Sequence, residues 1–162
     1  MNINKIKDNK EKRTIYSIKR GFTLIEILVV IGIIAVLSAV VLVAINPARQ
    51  FKLARDSQRV SNITAILNAV GQNTSEHKGV FDCAVSLPST AKVISSADDG
   101  VDIASCLSPV YISSLPYDPS KTGAKFLSIT DYNTEYTIVQ EADGRIKVGA
   151  VGEITPDISM TR

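Results

Sequence analysis

A chain of 162 residues is about the size of one domain, and with 45% hydrophobic residues and a net charge of +2 it is neither a disordered polyion nor a string of large domains. It lacks a phosphate-binding glycine loop, a Cys-x-x-Cys and a His-Glu-x-x-His, which removes the common nucleotide, redox and zinc-protease signatures. The averages conceal an asymmetry: the first twenty residues carry seven basic side chains against two acidic ones, a net +5, which leaves −3 for the rest.

The basic cluster is Lys5, Lys7, Lys10, Lys12, Arg13, Lys19 and Arg20. It abuts an apolar run of membrane length, so it reads as cytoplasmic charge that fixes orientation, and no nucleic acid is expected as a direct partner. From Ile27 to Ile45 no residue is charged. Those nineteen residues span about 28 Å at helical rise, close to the hydrocarbon thickness of a bilayer. A small domain offers no core able to surround a helix that is apolar on every side, so the expected surroundings are lipid. The positive charge ahead of the run predicts a single pass through the cytoplasmic membrane, with the N-terminus in and the C-terminal part extracytoplasmic. A secretory signal would end in a small-residue cleavage site, whereas this run passes into "INPARQ" and further helix.

One carboxylate, Glu26, sits just inside the run. An acidic residue costs roughly 2.5–3.5 kcal/mol at the centre of a spanning helix and less near its end. Two readings are open on position alone: Glu26 is solvated at the interface, or it meets a cation when helices associate.

The stretch "GFTLIEILVVIGIIAVL", Gly21 to Leu37, with basic residues upstream, resembles the class III signal of type IV pilins and their pseudopilin relatives. The resemblance covers roughly residues 13–55. It implies cleavage between Gly21 and Phe22 by a membrane-embedded prepilin peptidase, N-methylation of the new terminal Phe22, and pairing of Glu26 with the terminal amine of a neighbouring subunit in a filament core. Glycine at the cut has no side chain to obstruct a protease. The implied partners are the peptidase, identical or related pilin subunits, an inner-membrane assembly platform and the lipid bilayer. The leader is longer than the family's shortest, and Pro47 falls a few residues later than the family's usual first proline.

Beyond Ile45, Phe51, Ala54, Val60, Ile63, Leu67 and Val70 recur at helical spacing and predict an amphipathic helix that docks on a sheet. Arg49, Lys52, Arg55, Asp56 and Arg59 are then expected to face outward. Pro47 predicts a kink near Val43 to Asn46, or else the start of a second helix, and the helix stop is expected at Gly71 or at Gly79.

From Val80 the chain is rich in Ser, Asp, Gly and Pro. Thr134–Gln140 and Arg145–Val151, joined by "EADG", predict an antiparallel hairpin. Ser95–Gly100 and Leu115–Gly123 are loops, the second resembling the Pro-x-Asp-Pro loop of pseudopilins and some pilins. The only cysteines, Cys83 and Cys106, lie on the predicted extracytoplasmic side and are read as a disulfide, with two free thiols as the alternative.

His77 is read as a surface residue, and a zinc site with Asp82 and the cysteines has no spacing to support it. Asp98, Asp99, Asp102, Asp118 and Asp131 are read as solvated turn aspartates in preference to calcium ligands. Asn62 and Asn73 begin glycosylation triplets of no expected consequence. No metal, cofactor or catalytic residue is expected.

The expected fold is α+β: a long N-terminal helix, part transmembrane and part amphipathic, packed on a small antiparallel sheet. Its segments are a basic leader at 1–21, a membrane helix at 22–46, an amphipathic continuation at 47–78 and a β-rich domain at 79–162. The expected function is a non-enzymatic structural subunit of a type IV pilus-like filament. The alternatives are a pseudopilin of type II secretion or DNA uptake, and an uncleaved, signal-anchored binding domain.

Overall fold

In the computed structural model, which describes residues 21–162, the chain divides into one unit ending at Ala44 and a second, Ile45–Arg162. All of the expected leader except Gly21 lies outside the described residues.

The first unit holds all but the last residue of α1, Leu24–Ile45, 22 residues long. Valine and isoleucine are indifferent helix formers in water, but a backbone in hydrocarbon has only itself to hydrogen-bond, and a helix satisfies every group within the segment. None of its residues is buried and the apolar ones surround it, so α1 is long and apolar enough to cross a membrane.

The second unit opens with α2, Pro47–Glu76. Asn46, left-handed at φ 48°, caps it by accepting the Arg49 N–H at 3.3 Å, and Pro47 stands at the first helical position, where a missing N–H costs nothing. Pro47 thus starts a second helix and does not bend a continuous one. At the other end α2 runs through Gly71 and stops after Glu76; Gly79, at φ 88°, donates back to the Thr74 carbonyl at 2.9 Å.

The remaining elements are β1 (Lys92–Ser95), the short helix α3 (Ala104–Leu107), β2 (Lys125–Ser128), β3 (Asp131–Gln140), β4 (Ile146–Ala150) and β5 (Ile158–Thr161). They build one antiparallel sheet of order β1-β3-β4-β5, with β2 paired to β3. The β3–β4 hairpin runs from Thr137 opposite Gly149 to Gln140 opposite Ile146, and its turn places Gly144 at φ 85°. Along β3 the side chains alternate: Tyr132, Thr134, Tyr136 and Ile138 are buried and their neighbours are not.

The buried face of α2 enters the core at Ile63, Ile66, Leu67 and Val70. It meets Tyr136, Ile138, Ile146, Val148 and Ile158 from the sheet, and Ile103, Leu107 and Leu115 close the sides. Each such side chain contributes roughly 1.5–3 kcal/mol by leaving water. Cys83 and Cys106 are bonded, tying the loop after α2 to α3 across a Cα–Cα distance of 5.4 Å. Closing a loop with a sequence separation of 23 contributes about 3 kcal/mol in the chain-entropy model.

Two expectations for α2 are corrected. Phe51, Ala54 and Val60 are exposed, so the apolar stripe enters the core only from Ile63 onward. Asp56 and Arg59, expected on the solvated face, are buried, Arg59 with no exposed surface at all. The reason is that two loops, 115–123 and 151–157, bring carboxylates and backbone donors against this turn of the helix.

Candidate functional site

The peptide bond between Gly21 and Phe22 precedes the first helical residue, so it carries no helix hydrogen bonds that a protease would have to break. Nothing lies within 4 Å of where a Gly21 Cβ would stand, and Phe22 is 81% exposed. Hydrolysis of this bond would leave an α-ammonium on Phe22, four residues ahead of Glu26.

Glu26 has a local task as well. The Thr23 hydroxyl accepts the Glu26 N–H at 3.2 Å, and a Glu26 carboxylate oxygen accepts the Thr23 N–H at 3.4 Å. This is a capping box: two donors that the helix start leaves without partners are satisfied reciprocally. The carboxylate also lies at the positive end of the helix dipole. The Thr-x-x-Glu spacing of this cap, missed in the sequence analysis, is legible in "TLIE".

A second polar cluster lies in the folded unit. Arg59 presents its fork to Asp118, Nε to Oδ2 at 2.7 Å and Nη2 to Oδ1 at 3.0 Å. Its Nη1 donates to Asp56 Oδ1 at 2.7 Å, and Nη2 also reaches the Ser120 hydroxyl at 2.6 Å. Asp56 accepts the backbone N–H groups of Glu153, Ile154 and Thr155 at 2.8, 2.8 and 3.0 Å. Arg55 holds Glu153, with Nη2 to Oε2 at 2.7 Å.

Burial pushes the Asp56 carboxyl up, but the N–H groups of Glu153, Thr155 and Ile154, and then the Arg59 guanidinium, outweigh it and hold the group far below the usual carboxylate range. Burial likewise opposes ionisation of Asp118, and Arg59 with the N–H groups of Ser120 and Lys121 lowers it nonetheless. Glu153 is held down to about 2, chiefly by Arg55. Arg59 is raised, chiefly by its hydrogen bonds to Asp118. The cluster is a structural clasp that fixes both loops to α2.

The other expected site residues do not converge. His77 Nδ1 lies 2.8 Å from the Asn73 carbonyl and Nε2 lies 3.2 Å from Asp82, at the end of α2. The cysteines, being bonded to each other, offer no thiolate to a metal. Asp98 and Asp99 are exposed; Asp102 accepts the Tyr132 hydroxyl at 2.8 Å; Asp131 pairs with Lys125; and Asp118, expected to be solvated, is buried in the clasp. Among the described residues no group of three or more His, Cys, Asp or Glu is placed to hold a metal. Asn62 and Asn73 are buried and hydrogen-bonded, to Tyr136 and the Tyr117 carbonyl and to the Asp82 backbone.

Residues 17–42 match the family model described as the prokaryotic N-terminal methylation motif, which is the type IV prepilin signal. The chain thus carries a prepilin-type signal on a membrane-length apolar helix, followed by an amphipathic helix on a small antiparallel sheet, an arrangement consistent with an α+β pilin-like fold; the motif supports a type IV pilin-like or pseudopilin-like precursor. The motif implies processing by prepilin peptidase and assembly with other pilins. No curated protein and no solved structure shows a significant match to the chain.

Proposed function

We propose that the chain is a structural subunit, not an enzyme, that waits in the cytoplasmic membrane with residues 1–21 inside and the folded domain outside. Prepilin peptidase cuts it after Gly21 and methylates Phe22, and α1 then moves from lipid into the core of a pilus-like filament. The observation that carries this reading is the methylation motif at residues 17–42 lying across an unburied apolar helix ahead of a separately folded domain. Packing among helices replaces contact with lipid, and Glu26 pairs with the Phe22 amine of a neighbour. An unpaired carboxylate in that setting is costly, so the pairing favours one axial register. The work of extraction comes from an inner-membrane assembly platform. The test is Glu26→Leu in cells that make the filament. Normal processing with lost assembly supports the reading, and undiminished filaments discard the pairing.

The second reading is a pseudopilin of a secretion or DNA-uptake apparatus, favoured by the Pro-x-Asp-Pro loop at Pro116–Pro119. Loss of secretion or transformation on deletion, without surface fibres in the parent strain, would select it.

A further inference from the structure

We propose that the first two turns of α2 bind anionic phospholipid headgroups, through Arg49 and Lys52, while the subunit resides in the membrane. The inference rests on the membrane anchoring proposed above and adds a lipid-binding surface to it.

The first observation is an uncovered helix face. Arg49, Lys52, Asp56, Arg59 and Ile63 recur at three- and four-residue spacing, so they share one side of α2. From Asp56 onward that side is buried under the two loops and the sheet. One turn earlier it is bare: Arg49 and Lys52 are exposed. The arginines above have carboxylates, Arg55 with Glu153 and Arg59 with Asp118 and Asp56. Among the described residues neither Arg49 nor Lys52 has one.

The second observation is distance along the chain. Asn46 alone separates the last residue of α1 from the first of α2. Arg49 and Lys52 are the fourth and seventh residues after Ile45, so only a few residues of chain separate them from the end of α1, while the headgroup layer on each side of a bilayer is about 5–8 Å deep. If α1 fills the hydrocarbon, so short a connection keeps both long side chains within reach of the headgroups whichever way α2 leaves the membrane, before any neighbouring subunit is present.

The chemistry suits a phosphodiester. The Arg49 fork can take two phosphate oxygens, Lys52 supplies a mobile point charge, and the stems of both can lie against the acyl boundary. A zwitterionic headgroup cancels most of that attraction, which selects an anionic lipid. The contact holds an unassembled subunit at the surface and must be released when α1 is extracted.

The chain contains no tryptophan, so Ala48→Trp introduces a single indole reporter one helical turn from Lys52, with Phe51→Trp on an adjoining exposed side as a second. The full-length protein is reconstituted in vesicles of phosphatidylcholine and phosphatidylglycerol, with one or the other lipid brominated, and checked by flotation. Brominated phosphatidylglycerol is expected to quench the indole as if enriched over phosphatidylcholine, by about fivefold for each basic side chain in reach. The enrichment should fall towards one in the Arg49→Gln/Lys52→Gln background and at high salt. Equal quenching by the two lipids, or enrichment that survives the double substitution, overturns the inference and leaves membrane anchoring standing. An indole shielded only on filament assembly overturns it in favour of a neighbouring subunit. A protein that does not float with the vesicles overturns the anchoring and this inference together.

Discussion

Arg59 and Asp118, fifty-nine residues apart, form a two-point ion pair with no water access on the arginine side, Nε to Oδ2 at 2.7 Å and Nη2 to Oδ1 at 3.0 Å. The pair joins α2 to the loop that leads into β2. A buried ion pair gains little net stability over an apolar pair, but losing one member strands the other. Asp118→Ala should therefore destabilise the folded unit by about 3–5 kcal/mol. Arg59→Met combined with Asp118→Leu should cost less than the sum of the single changes, as read from urea midpoints of the detergent-solubilised protein. Additive costs would show that the two side chains are not coupled.

The clasp has a defined response to acid. Asp56, Asp118 and Glu153 all ionise below their ordinary values in the folded protein, Glu153 at about 2. The stabilisation is thus fully present above the unfolded carboxylate values of about 4 and is lost as pH falls through the folded ones. Melting temperature should be level between about pH 5 and 7 and fall below about pH 4, the Glu153 share going near pH 2. Asp56→Asn should lower the plateau and flatten the acid limb. An acid limb of unchanged slope in that variant would remove Asp56 from the account.

Gly152 is placed where a side chain has no room. A Cβ there would collide with the Thr155 carbonyl, with Ile158 Cδ1 at 2.8 Å and with Asp56 Oδ1 at 2.9 Å. Gly152→Ala should push the 151–157 loop off Asp56 and cost about 1–3 kcal/mol, as overpacking does. Thermal melting checks this, and a melt equal to that of the parent protein would contradict it.

The capping box lets charge and cap be separated at Glu26. Glutamine preserves the reciprocal bond to the Thr23 N–H, and leucine removes it. If the carboxylate works by pairing with the Phe22 amine, Glu26→Gln should fail to assemble as Glu26→Leu does, although α1 keeps its cap. Thr23→Val, which loses the Oγ1 acceptor, should cost the helix start about 1 kcal/mol and leave the charge in place. Sheared-filament yield and processing efficiency are the readouts, and full assembly of Glu26→Gln would assign the residue to capping.

Periodicity made α1 and the β3–β4 hairpin legible, because each is specified by adjacent residues: an unbroken apolar run, and two alternating strands around Asp143-Gly144. The individual strands β1, β2 and β5 were not legible. Each is four residues long, and each is a strand only because a partner lies beside it. The clasp was hidden for a related reason. Asp56 and Arg59 are ordinary surface types on a helix, and the residues that bury them lie 59 or more positions away. The available signal was their spacing from Ile63, which places them on the core face, together with the single aspartate in Pro116-Tyr117-Asp118-Pro119.

The most direct test of the account is the mass and N-terminal sequence of the protein extracted from cells that contain prepilin peptidase. The account predicts a chain that begins at Phe22, carries one methyl group on its terminal amine and lacks residues 1–21. A chain that retains Met1 through Gly21 in such cells would contradict it, and would make the apolar helix an uncleaved anchor.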